Sequence, residues 1–179
     1  IGLARGDVKV RVNSRALLEA SLRGGVLAQR PEVFEPLCVV IDKIAKVGAD
    51  TVVEQLTDPK GNVGLDEASA REVIALLSAQ SLDEAAEHVS PDSPALADLR
   101  RFFDLLEAYG IRDQVVFDAS VVRGLAYYTG IVFEAFDTGA TLRPMASGGG
   151  GSKTSSSDVK QSPHAMPHAM PHGSALCTC

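Results

Sequence analysis

The residues with the most chemical promise lie in one short stretch, Asp118-Ala-Ser-Val-Val-Arg123-Gly124-Leu125-Ala126-Tyr127-Tyr128-Thr129-Gly130. It sets a cation, a glycine and two adjacent tyrosines between apolar segments. A guanidinium flanked by Val121, Val122 and Leu125 is costly to bury unless an anion meets it. Its planar fork suits a carboxylate or a phosphate. Neighbouring tyrosines on a strand point to opposite faces, so one would line a pocket while the other packs inward. Gly124 and Gly130 permit a bend that re-aims these side chains. A plain structural pairing of Arg123 with Asp118 or Glu134 accounts for the same residue types, and the stretch alone leaves both readings open.

The elements that must position this stretch are well punctuated. Val8-Lys-Val10-Arg-Val12 alternates strictly and reads as a half-buried strand. Asn13 or Ser14 caps a helix running to about Arg23, closed by Gly24-Gly25. A second helix is expected from Pro36 to Val47, with Leu37, Val40, Ile41, Ile44 and Val47 on one stripe. Asp50 starts a short third, and Asp66 opens a fourth with Ala70, Val73, Ile74 and Leu77 on its apolar face. Ser81-x-x-Glu84 has the spacing of a capping box. Ser93-Pro94 opens the longest helix, whose face is Leu96, Leu99, Phe102/Phe103, Leu106 and Tyr109, stopped by Gly110. The period then changes to that of strands: Val115–Phe117, Gly130–Phe136, and a return through Thr141-Leu-Arg143 after the turn at Asp137-Thr-Gly139. Strands separated by a helical block predict an α+β fold, a sheet interrupted by a helical insertion.

The 179 residues carry 17 basic and 23 acidic side chains, a net charge of −6, with 45% hydrophobic residues. That balance excludes a disordered chain and a nucleic-acid binder that works by bulk positive charge. Leu37-Cys38-Val39-Val40-Ile41 is the apolar run of note, far short of the ~20 residues of a membrane span. Cys38 within it reads as a buried thiol, and three unevenly placed cysteines make no disulfide framework. After Gly148–Gly151 the composition shifts to Ser, Pro and a repeated Pro-His-Ala-Met, so residues 151–179 read as a disordered tail. His164, His168 and His172 with the neighbouring methionines are soft metal ligands, but the interleaved prolines keep them off a common helix face. His88 reads as a solvated helix histidine, and Lys43 and Lys46 as a helix edge.

Val121-Val-Arg-Gly-Leu-Ala-Tyr-Tyr-Thr-Gly-Ile-Val-Phe-Glu134 resembles the histidine-specific motif of the histidyl-tRNA synthetases, which are class II aminoacyl-tRNA synthetases. Val8 to Leu18, Val39-Val-Ile-Asp42-Lys43-Ile and Tyr109-Gly110 with Phe117-Asp118-Ala-Ser120 are similar to further stretches of that family. The resemblance covers residues 7–150. Ala126 departs from the Asp that many members carry, and the chain departs again after Gly150, where members continue through Arg-Tyr-Asp.

The resemblance implies that residues 1–35 and 111–150 are pieces of an antiparallel class II catalytic sheet. Residues 36–110 would be a helical insertion domain that leans on the tRNA. It implies ATP with Mg2+, histidine and tRNA(His) as ligands, a homodimer, no membrane association, and a cytoplasmic or organellar compartment. Arg123 aligns with the arginine that bridges the amino acid and the α-phosphate. Tyr128 aligns with a tyrosine that reads the imidazole, and Tyr127 lies beside it. The stretches that build the dimer interface and grip ATP in the family find no match here, so this chain is expected to be incomplete for catalysis. A second class of function also follows from the resemblance: a non-catalytic synthetase-like regulatory, tRNA-sensing or histidine-sensing module.

Overall fold

A computed structural model describes residues 6–138 and 144–151. The alternating segment forms β1 (Val8–Ser14), and α1 (Arg15–Leu22) follows without a loop. Ser14 Oγ accepts a 3.2 Å bond from the Leu17 amide, which caps α1. A helical block comes next: α2 (Phe34–Ile41), α3 (Ile44–Val47), α4 (Ala49–Thr57), α5 (Glu67–Leu77), α6 (Leu82–Ala86) and α7 (Pro94–Ala108). The chain then returns as β2 (Val115–Phe117), β3 (Ile131–Asp137) and β4 (Pro144–Gly149).

The single helix expected over 36–47 is two helices. Between α2 and α3 the ladder tightens to i→i+3 bonds, with the Lys43 amide donating to Val40 O at 3.2 Å and the Lys46 amide to Lys43 O at 2.8 Å. This break turns the Asp42 carboxylate toward Arg123, 3.9 Å away. The capping signals fare better. Asp66 Oδ1 accepts from the Ser69 amide at 2.9 Å, and Ser81 Oγ from the Glu84 amide at 3.2 Å. Glu84 closes its box one residue early, on the Gln80 amide at 2.8 Å. Tyr109, expected on the apolar face of α7, is 76% exposed because the helix ends there and Gly110 takes φ +67°.

The four strands form one sheet in the order β2-β1-β3-β4. β1 pairs antiparallel with β3, and β3 with β4, the last pair with an irregularity between Ala135 and Phe136. The sheet expected to be antiparallel also holds one parallel pair, β1 with β2 (Val10↔Val115, Val12↔Phe117). The whole helical block separates these two strands, and only a long crossover can bring them side by side in the same direction.

Period-2 alternation divides the sheet into two faces. Val10, Val12, Val115, Phe117 and Ile131 pack with Leu96, Leu99, Phe103 and Leu106 of α7 in one core. A second core joins Leu18 and Leu22 of α1 to Leu37, Cys38 and Ile41 of α2, to α4 and α5, and to Val122. The opposite face of the sheet, with Arg11, Glu134, Phe136 and Ser147, mixes polar and apolar side chains, and it borders a cleft. The return strand expected through 141–143 and the tail beyond Gly151, with its histidines, lie outside the described residues. Among the described residues no helix is long and apolar enough to cross a membrane.

Candidate active site

Arg123 lies on the irregular passage between β2 and β3, 23% exposed. Its Nη1 is 2.6 Å from Glu134 Oε1 of β3 and 3.9 Å from Asp42 Oδ1 at the end of α2. Its Nε is buried and has no hydrogen-bond partner among the described residues. Asp118 takes no part in this arrangement, because Arg11 Nη1 meets its carboxylate at 3.3 Å. Of the two structural pairings the sequence allows, the one with Glu134 forms.

These groups line a cleft of about 510 Å³ bordered by Arg11, Asp42, Lys46, Arg123, Glu134 and Ser147, among others. Arg11 also lies over the Phe136 ring, 4.5 Å from its centroid. Three cations therefore share the rim with two carboxylates. A buried guanidinium N–H without an acceptor, set in such a cleft, is chemically suited to an anionic oxygen.

The tyrosines differ from expectation. They sit in a turn, not on a strand, with the Tyr128 amide donating to Leu125 O at 3.2 Å. The alternation of a strand therefore does not apply, and the rings lie together, 4.2 Å between centroids. The Tyr127 hydroxyl donates to the Tyr128 oxygen at 3.0 Å. That bond, which ionisation would destroy, holds the Tyr127 phenol above the usual tyrosine range; partial desolvation and the neighbouring Tyr128 act in the same direction, and Arg123 opposes them. Tyr127 is 63% exposed, whereas Tyr128 is half-buried.

Two glycines make room for this arrangement. A Cβ on Gly149 would come within 2.6 Å of Tyr128 Cδ1 and 2.9 Å of Val132 Cγ1, so a bare backbone on β4 admits the ring. A Cβ on Gly124 would stand 3.3 Å from Val39 Cα, so the residue after Arg123 packs directly on α2.

Arg15 has no counterpart in the sequence reading. It is 3% exposed, and its Nη1 donates to the carbonyls of Arg123 (2.8 Å) and Leu125 (2.6 Å). Its Nη2 pairs with Glu35, and its guanidinium faces the Phe34 ring at 5.3 Å. One signal was available in the sequence. A cation in the first turn of a helix opposes the macrodipole and calls for another reason to be there.

The sequence model of the family described as histidyl-tRNA synthetase matches residues 43–163. The chain is 39% identical over 149 residues to the chloroplastic/mitochondrial histidine–tRNA ligase of Arabidopsis thaliana, covering 83% of this chain and 29% of that protein. It is 31% identical over 150 residues to the cytoplasmic histidine–tRNA ligase of Takifugu rubripes, covering 79% of this chain and 28% of the relative. The chain thus spans less than a third of the length of these curated relatives. Its fold is similar to that of a solved ATP phosphoribosyltransferase regulatory subunit/histidyl-tRNA synthetase from Bacillus halodurans. The TM-score is 0.62 and the identity 23%, over 80% of this chain and 37% of that one.

Proposed function

Given that this chain belongs to the histidyl-tRNA synthetase family, we propose that it forms the histidine-reading part of a histidine–tRNA ligase. In the proposed reaction the histidine carboxylate attacks the α-phosphate of ATP. The bond to pyrophosphate breaks, and histidyl-adenylate forms. A hydroxyl of the terminal ribose of tRNA(His) then attacks the acyl carbon and loses its proton, and AMP leaves. The observation that carries the reading is the buried, unpartnered Nε of Arg123 in a cleft, within the stretch that the family model matches.

Arg123 is the group that meets the negative charge building on the α-phosphate. Glu134 holds one end of its fork, so the cation is already oriented before the charge develops, which is where such interactions are most effective. Tyr128 reads the imidazole. Because Tyr127 donates to the Tyr128 oxygen, the Tyr128 proton is left to point at a ring nitrogen. A site built around such a bond rejects isosteres that lack the polar edge. In this reading residues 36–110 form the insertion domain facing tRNA, residues 1–35 and 111–150 form part of the catalytic sheet, and the complete polypeptide is a homodimer. Among the described residues no group of three or more His, Cys, Asp or Glu side chains could hold a metal ion.

A regulatory module without aminoacylation is the second reading, favoured by the fold shared with the Bacillus halodurans protein. The two diverge in ATP–pyrophosphate exchange with histidine, measured on the complete polypeptide with Arg123→Gln as the comparison. The ligase reading expects histidine-dependent exchange that falls about 100-fold or more on substitution. Absence of exchange in the unsubstituted protein rejects it.

A further inference from the structure

We infer that Arg15 is a positioning residue, which from inside the fold fixes the main chain that carries Arg123 and Tyr128. The contacts that argue this are all to backbone. One Arg15 nitrogen bridges the carbonyls on either side of Gly124, those of Arg123 and Leu125. This sets the orientation of the 123–124 and 125–126 peptides, on either side of the residue that packs on Val39 of α2. The Leu125 carbonyl is shared, because it also accepts the Tyr128 amide and so closes the turn that presents the phenol. Arg15 thereby acts on Arg123 through that residue's own carbonyl and on Tyr128 through the carbonyl of Leu125.

The residues beside it hold the same passage. The Asp118 amide donates to Val12 O at 2.9 Å, Asn13 Nδ2 to Ala119 O at 2.8 Å, and the Arg15 amide to Gly130 O at 3.0 Å. The run Val12-Asn13-Ser14-Arg15 thus grips residues 118–130 at both ends, and the Arg15 side chain grips the middle. Glu35 is the carboxylate paired with this buried cation, and the carbonyl dipoles supply the remaining compensation. A lysine reaches such acceptors as a point charge and cannot span two carbonyls and a carboxylate as a rigid fork. Without the fork, a segment containing Gly124 regains its backbone freedom.

The functional consequence of this role rests on the histidine-site reading above; the positioning itself does not. The test is nuclear magnetic resonance on the whole 179-residue chain and on its Arg15→Lys and Glu35→Ala variants. Two contacts report the passage: Gly124 Hα to Val39 Hα, and the Tyr128 ring to Gly149 Hα. The Tyr128 amide adds a hydrogen-exchange readout, and the β1–β3 amides report the fold. In Arg15→Lys the β1–β3 amides keep their protection, both contacts vanish, and Tyr128 exchange quickens about tenfold or more. Glu35 is half exposed, so Glu35→Ala folds even where Arg15→Lys does not, and it weakens the same signals. A folded Arg15→Lys with both contacts and Tyr128 protection unchanged overturns the inference. So does an unchanged Glu35→Ala, should the first variant unfold. L-histidine added to the unsubstituted chain separates the two ideas. Tyr128 resonances that ignore it speak against the histidine site and leave the positioning result standing. Histidine affinity equal in the unsubstituted chain and a folded Arg15→Lys overturns the functional consequence, and the two contacts and the Tyr128 exchange alone decide the positioning.

Discussion

Glu134 Oε1 lies 2.6 Å from Arg123 Nη1, so the β3 strand holds the cation of the preceding passage by its side chain. Both partners are about one-fifth exposed, which places the pair between a screened surface bridge and a buried one. Glu134→Gln leaves Arg123 with Asp42 at 3.9 Å as its remaining anion. The expected loss is about 1–2 kcal/mol of stability, read from urea unfolding. A midpoint equal to that of the unsubstituted chain would mean the pair is solvated and contributes nothing.

Gly149→Ala places a methyl 2.6 Å from the Tyr128 ring and 3.0 Å from Ile131 O. The ring can yield but the carbonyl cannot, so the variant should lose about 1–3 kcal/mol and shift the Tyr128 resonances. Gly150→Ala is the control, because a Cβ there meets nothing within 4 Å. Equal effects at the two positions would show that chain stiffness, not the ring, is responsible.

Alkaline titration addresses the tyrosine pair. The folded chain holds the Tyr127 proton more tightly than the unfolded one, because the proton sits in the bond to Tyr128. The contribution to stability is therefore complete below the ordinary tyrosine range and lost as pH rises through the raised value. Tyrosinate absorbance should show one of the three tyrosines titrating late. Tyr128→Phe removes the acceptor and should bring that residue back to the ordinary range. A late tyrosine that persists in Tyr128→Phe would assign the effect elsewhere.

Burial pushes the Cys38 thiol up to about 12, a shift that nearby Arg15 only partly opposes. In a chain carrying Cys177→Ser and Cys179→Ser, Cys38 should resist a thiol reagent near neutral pH until the protein unfolds. The folded state holds this proton more tightly as well, so its stabilising contribution fades as pH rises from the ordinary thiol range toward 12. Rapid labelling of the native chain would show that the core around Leu37 and Ile41 opens locally.

Much of this architecture is legible in the sequence because local rules govern it. The strict alternation at Val8–Val12, the caps at Asp66 and Ser81, and the stop at Gly110 each act within a few residues of themselves. The motif at 121–134 is read from side-chain identity and needs no fold at all. What escaped depends on distance. The parallel pairing of β1 with β2 is settled by a crossover of the entire helical block, which no local pattern encodes. The break between α2 and α3 sets Asp42 against Arg123, a partner far along the chain. Tyr127 and Tyr128 lie in a turn because Leu125 O accepts the Tyr128 amide, so strand alternation misplaces one of them. Arg15 stands out in the sequence only as a cation at a helix start, and its partners, the carbonyls of Arg123 and Leu125, lie far along the chain.

Calorimetric titration of L-histidine into this chain, alongside Tyr128→Phe and Arg123→Gln, tests most directly whether the cleft and the paired phenols form a histidine site. Binding should weaken about tenfold in Tyr128→Phe, as for one lost hydrogen bond to the ring, and should also weaken in Arg123→Gln, where the carboxylate loses its cation. Histidine bound equally well by all three proteins would contradict the account.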